Sequence, residues 1–203
     1  MILAQFQTVG HDLSVRGIVP AHCGDLSIRL GDRVIITRRG STLAHLTDLD
    51  LVETGVERND RATPAASPTL AVHRAIYRET EAQAVLHGHP AHAIALSLLW
   101  DEIVPVDALG IQHFERIPVV GRAITSSSRD MADEIAQALR SSRVVLVRGH
   151  GCFAAGQLLE ECHQWVSCVE ESCRILWLLQ CMGRGGPRHR GRRTVLPRAS
   201  SLS

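Results

Sequence analysis

The chain of 203 residues contains no lysine; every fixed positive charge is an arginine. Chemistry through a lysine Schiff base is thereby excluded, and a carbonyl substrate would need a metal or hydrogen-bond donors for activation. The six cysteines (Cys23, Cys152, Cys162, Cys168, Cys173, Cys181) form no C-x-x-C pair and fall mostly in a helical pattern, so reduced, buried thiols are expected. No run approaches the roughly eighteen apolar residues of a membrane span. The start, MILAQFQTVGHDLSVRG, lacks a basic leader and a cleavage site, so a soluble cytoplasmic protein is expected. An excess of one charge is missing too. The net charge of +1 sets up no general field for nucleic acid or membrane, which leaves a small molecule as the expected partner. Also absent are a G-x-S-x-G elbow, a P-loop, an internal repeat and a G-x-G-x-x-G leading into a helix; the glycines of GHGCFAAG read as turns.

What is present suits one globular domain with a well-buried core, 45% of residues being hydrophobic. Ile2, Phe6, Val9 and Leu13 have helical spacing and stop at Gly17. DLSIRL and RVIITRR flank the turn dipeptide Gly31-Asp32 and predict an antiparallel hairpin, followed by a polar surface loop over ETGVERNDRATPAAS. A second helix is expected over SPTLAVHRAIYRET, with Ser67 as cap and Pro68 in its first position. It carries Tyr77, the only tyrosine, which reads as core, and His73, which reads as a packing or hydrogen-bonding residue. The strand AVLHGH, a helix opened by Pro90, a helix over MADEIAQALR and the strand RVVLVRGHG come next. A long helix from about Leu158 to Met182 closes the fold, with Cys162, Trp165, Val169, Ile175 or Leu176, and Leu179 near one face. The order implies an α/β fold with helices covering a sheet. The domain is expected over 1–182, and the Arg-rich tail over 183–203 has too few large apolar residues to pack and reads as disordered.

The stretch VLHGHP puts His87 and His89 on one face of a strand, because side chains alternate across it. His150, in RGHG, follows another strongly apolar strand and is flanked by glycines that let backbone approach a ligand. Three neutral imidazoles with an open fourth position suit a catalytic divalent ion, Zn²⁺ first, with Fe²⁺ or Mn²⁺ as alternatives.

At this point the chain resembles the class II aldolase/adducin family. The resemblance runs in order through CGDLSIR, ITRRG, SPTLAVHRAIYR, AVLHGHPAHAIALS, IQHFERIPVVG and VVLVRGHGCFAAG. It implies a three-layer α/β/α sandwich, a homotetramer with active sites at subunit contacts, and a metal held by His87, His89 and His150. The implied chemistry is lyase cleavage of a carbon–carbon bond in a hydroxy-ketone or sugar phosphate, with the metal stabilising an enediolate.

Two positions depart from the family's pattern. The acid/base glutamate is expected four residues before the helix histidine, where Thr69 stands, and a hydroxyl is no general base near neutral pH. A proton-donating tyrosine aligns with Phe114. Thr69 and neighbouring His113 are therefore the candidate catalytic residues, with His92, Glu115 or a metal-bound water as other proton-transfer groups. The positions matching the substrate pocket are Gly24, Asp25, Arg39, Gly40 and Ser67. Arg39 suits a phosphate or carboxylate, whereas Asp25 would repel one unless paired, for instance with Arg39. Two further readings stay open: a decarboxylase, epimerase or iron-dependent oxygenase on the same scaffold, and a non-catalytic interaction protein.

Overall fold

A computed structural model describes residues 2–122 and 131–183, so beyond Gly183 the expected tail lies outside the described residues. Helix α1 (Ile2–Val15) buries Phe6, Val9 and Leu13, three of the four positions its spacing singled out, and leaves Ile2 half-buried. Strands β1 (Asp25–Leu30) and β2 (Arg33–Thr37) pair antiparallel across Gly31-Asp32 as expected. A third strand, β3 (Leu51–Gly55), pairs with β2 where a surface loop was expected from Glu53 onward. It is a short edge strand whose exposed Glu53 interrupts the apolar signal.

Helix α2 (Leu70–Glu79) starts later than the sequence suggested: Thr69 occupies the N-cap, and Ser67 and Pro68 precede the helix. Ser67 is not the cap because its hydroxyl is turned to the Asp25 carboxylate at 3.0 Å. Strand β4 (Ala84–Gly88) and helix α3 (Ala91–Ser97) flank the HGHP segment. Strand β5 (Glu102–Ile103), helix α4 (Ala108–His113) and strand β6 (Ile117–Val120) follow, each too short to show a period in sequence. Helix α5 (Ala132–Leu139) leads to β7 (Val144–Val147) and β8 (Gly151–Gly156), and α6 (Leu159–Cys181) ends the domain. The GCFAAG segment is thus a strand, not the series of turns its glycines implied. It pairs with β4 on one side and β7 on the other, and all but one of its residues are buried.

The eight strands order as β3-β2-β1-β4-β8-β7-β6-β5, antiparallel except for the β6–β7 pair. Two cores cover the sheet, one per face. Leu26, Leu86, Leu146, Cys152 and Ala154 pack with α1, α3 and α6, while Val85, Val145, Val147 and Phe153 pack with α2 and α5. The fold is therefore α/β with helical layers on both faces. The period of two has a direct consequence: Asp25 and Ser27 of β1 and His87 of β4 share the parity of the α2 face.

Candidate metal centre

Cross-strand pairing assembles the centre. Asp25 lies opposite His87 in the β1–β4 ladder, and His87 lies opposite Phe153 in the β4–β8 ladder. The His87 ring stacks on Phe153 with centroids 4.3 Å apart. His89, just past β4, and His150, in the β7–β8 turn, complete the group. Ring centroids are 4.7 Å apart for His87 and His89, 5.4 Å for His87 and His150, and 5.6 Å for His89 and His150. Three imidazoles sharing one tetrahedral ion at about 2.1 Å would place their centroids about 5 Å apart. Among the described residues, no three His, Cys, Asp or Glu side chains already stand in a metal-ligating arrangement. The fit is thus one of donor chemistry. His87 Nδ1 meets Asp25 Oδ2 at 3.2 Å and His89 Nδ1 meets the His150 carbonyl at 2.8 Å, so each ring is tied through Nδ1. The buried Nε2 of His87 has no protein partner. Burial first, then the adjoining His87 ring, lowers the His89 ring to about 4, so it is a neutral donor at physiological pH.

Glycine is required at Gly24, where φ is +82° and a Cβ would come within 2.6 Å of Val19 and 3.0 Å of the His87 carbonyl. The turn that presents His150 is held from behind by Arg148, which the sequence reading passed over. Its guanidinium is buried and donates to the carbonyls of Ser97 (2.5 Å), Gly121 (2.8 Å) and Trp100 (3.2 Å). The Gly149 amide donates to the Ser97 hydroxyl at 3.0 Å, fastening the turn to the end of α3.

A cavity of about 560 Å³ opens over the three histidines, bounded also by Gly24, Asp25, Arg39, Gly40, Ser67 and Thr69. His22, Arg38 and Ser41, not foreseen from sequence, line it too. His22 is fixed through Nδ1 by Thr42 Oγ1 at 2.9 Å, and Arg38 Nε donates to the Leu49 carbonyl at 2.7 Å. Arg39 is exposed and makes no ion pair among the described residues, so it does not pair with Asp25. Asp25 instead faces inward, 4% exposed, with His73 Nε2 at 2.6 Å, His87 at 3.2 Å and Ser67 at 3.0 Å. Burial raises its carboxyl, but the adjoining His87 and His73 outweigh this and hold it well below the ordinary carboxylate value.

Of the proton-transfer candidates, only Thr69 borders this cavity. His113 and Glu115 line a separate one with Arg116 and Arg143, and Phe114 packs into the core. His92 is engaged by Glu170 at 2.7 Å, the same carboxylate that receives the His92 and Ala93 amides at the start of α3. Within one chain, then, neither His92 nor His113 reaches the histidine cluster.

An α/β layered domain with three imidazoles around one cavity at the ends of central strands is an arrangement whose donors suit a divalent ion. The model of the Class II Aldolase and Adducin N-terminal domain matches residues 4–177, and the chain belongs to that family. It is 36% identical over 172 residues to the methylthioribulose-1-phosphate dehydratase of Gluconobacter oxydans, covering 75% of this chain and 80% of that protein. A probable bifunctional methylthioribose-1-phosphate isomerase/methylthioribulose-1-phosphate dehydratase of Nocardia farcinica is 27% identical over 194 residues; 85% of this chain spans 35% of its length. The solved L-fuculose-1-phosphate aldolase of Thermus thermophilus superposes with a TM-score of 0.83 at 34% identity, over 92% of this chain and 97% of that one. These relatives are enzymes, and the chain groups with them. Among the described residues no helix is long and apolar enough to cross a membrane.

Proposed function

We propose that the protein is a metal-dependent lyase that breaks a carbon–carbon bond beside a carbonyl in a small anionic substrate, a keto sugar phosphate or related hydroxy-ketone. The observation that supports it most is the convergence of His87, His89 and His150 on one cavity, with Nδ1 of both His87 and His89 already committed. A divalent ion on these neutral ligands, zinc in the first instance and iron or manganese otherwise, would supply undiminished positive charge against the oxyanion formed as the bond breaks. Arg39, exposed in the same cavity, receives the anionic end of the substrate as a two-pronged donor. Thr69 Oγ1 lies 2.9 Å from Ser67 Oγ, which donates to Asp25. Its proton therefore points to Ser67 and its lone pairs are left for a substrate hydroxyl.

The missing carboxylate at position 69 bears on the reaction. Dehydration beside a carbonyl begins by drawing a proton from carbon, which calls for a positioned base. In aldol cleavage the proton leaves a hydroxyl, and in decarboxylation no proton leaves at all. Decarboxylation is accordingly the second reading. The same proposal carries a cytoplasmic homotetramer with sites at subunit contacts, where a neighbouring chain supplies the missing proton donor.

The test is to load the purified protein with Zn²⁺, Fe²⁺ or Mn²⁺ and measure triose phosphate and CO₂ released from L-fuculose 1-phosphate and from 3-oxo-acid phosphates. Cleavage that is lost with chelator and with His89→Ala is expected, and Thr69→Glu should raise aldol cleavage about 10² to 10⁴-fold. Absence of carbon–carbon cleavage in both wild type and Thr69→Glu, or loss of water as the sole reaction, overturns the proposal.

A further inference from the structure

Asp25 sits between two imidazoles on two different elements, His73 of α2 and His87 of β4. An ionised carboxylate only accepts hydrogen bonds. His87 Nδ1 and Ser67 Oγ, at 3.2 and 3.0 Å, must therefore donate to it, and His73 Nε2 stands 2.6 Å from its other oxygen as an ion-pair contact. On the far side of Asp25, His73 Nδ1 shares a hydrogen bond with Ser27 Oγ at 2.6 Å, and Ser27 Oγ shares another with the Tyr77 hydroxyl at 2.7 Å. His73 is fully buried and Tyr77 2% exposed, so both are shielded from bulk solvent. The chain from Tyr77 through Ser27, His73 and Asp25 thus ends at His87 with the proton on Nδ1. Nε2 of that ring carries the lone pair, and it is the buried nitrogen left without a protein partner.

We propose that Asp25 is a positioning residue that holds His87 in its Nδ1–H tautomer, presenting Nε2 to the cavity. Through that ring it also supplies the negative charge that a glutamate ligand at position 69 would have brought.

The first half stands on the hydrogen-bond geometry alone; the second rests on the metal-centre reading above. Only a carboxylate serves both imidazoles, because it offers an accepting oxygen to each. An amide has one accepting oxygen, so asparagine here would turn an NH₂ group toward either His73 or His87. Facing His87, it would favour the opposite tautomer and block Nε2 as a ligand. A carboxylate behind a ligating imidazole also raises the basicity of the ring, and loss of such a partner weakens metal binding about 10 to 100-fold. The assignment removes Asp25 from the substrate-contacting set, since its carboxylate is spent on protein donors.

The decisive measurement is made on metal-free, full-length wild type: the imidazole ¹⁵N shifts and two-bond couplings of His87 at about pH 8, where unperturbed imidazoles are neutral. Protonation at Nδ1 with a bare Nε2 is expected; protonation at Nε2 overturns the proposal whether or not a metal binds. Zn²⁺ affinity by competition with a chelating dye, and the visible spectrum of the Co²⁺ form, address the second half. Asp25→Asn, with fold checked by circular dichroism, should bind about 10 to 100-fold more weakly and alter the Co²⁺ spectrum. An affinity within about threefold of wild type and an unchanged spectrum would overturn this half. Should wild type bind no divalent ion at all, the metal-centre reading falls and takes only this second half with it. If Asp25→Asn fails to fold, the wild-type tautomer still decides the first half.

Discussion

Replacing Arg148 by methionine isolates what holds the His150 turn. Arg148 is 6% exposed and its guanidinium serves three main-chain carbonyls and Asp101. Methionine retains much of the volume, so the cost comes from acceptors and not from a void. The Ser97 bond is fully buried, and its stranded carbonyl should cost about 1–3 kcal/mol. The Gly121 and Trp100 bonds are partly buried, where water can replace part of the loss; together they add about 1–2 kcal/mol. Asp101 is 61% exposed, so the ion pair is worth at most about 1 kcal/mol. Arg148→Met should therefore lose about 2–6 kcal/mol, Arg148→Lys about 2 because an ammonium cannot span three carbonyls, and Asp101→Asn less than about 1. Urea unfolding at fixed protein concentration and ionic strength reads all three. Loss of metal affinity in Arg148→Met should accompany the loss of stability, since His150 sits two residues along. Equal destabilisation by Asp101→Asn and Arg148→Met would show that the ion pair, and not carbonyl capping, is the mainstay.

Two other perturbations probe the same core. A Cβ on Gly151 would lie 2.4 Å from the Gly88 carbonyl and 3.2 Å from His89 Nδ1. Gly151→Ala should thus cost about 1–3 kcal/mol and weaken Zn²⁺ binding; wild-type stability and affinity would contradict it. Burial raises the Cys152 thiol to about 12 and pushes Cys162 and Cys173 upward as well, while Cys23 and Cys181 are exposed. A disulfide-exchange reagent should modify Cys23 and Cys181 in the folded protein and the remaining four cysteines only in denaturant. Because the folded Cys152 value lies above the unfolded one, its contribution is complete below about pH 9 and is lost as pH rises toward 12. Rapid modification of Cys152 in the native state would refute the packing described.

Much of the fold was legible because its signals are local. The α1 stripe, the long α6 helix with Cys162, Val169 and Leu176 inward, the Gly31-Asp32 hairpin and the strand carrying His87 announce themselves by period and turn chemistry. Strand β8 did not, since its flanking glycines resemble turn residues until β4 and β7 pair with it on both sides. The α2 cap was misplaced because the Ser67 hydroxyl found a better acceptor in Asp25, 42 residues away in the chain. Nor could sequence spacing show that His113, offered as a catalytic residue, stands apart from the three histidines; only the fold sends it to a different cavity.

By itself the sequence determined the absence of lysine chemistry, the same-face placement of His87 and His89, and the family pattern, for these follow from residue type and from alternation along one strand. Tertiary structure alone decided that Asp25 lies against His73 and His87 and not Arg39, and that Thr69, of the proton-transfer candidates, borders the cavity. The reason is distance: hydrogen bonds act over about 3 Å, and which groups come that close depends on strand register and on the helix laid across the sheet, not on their separation along the chain.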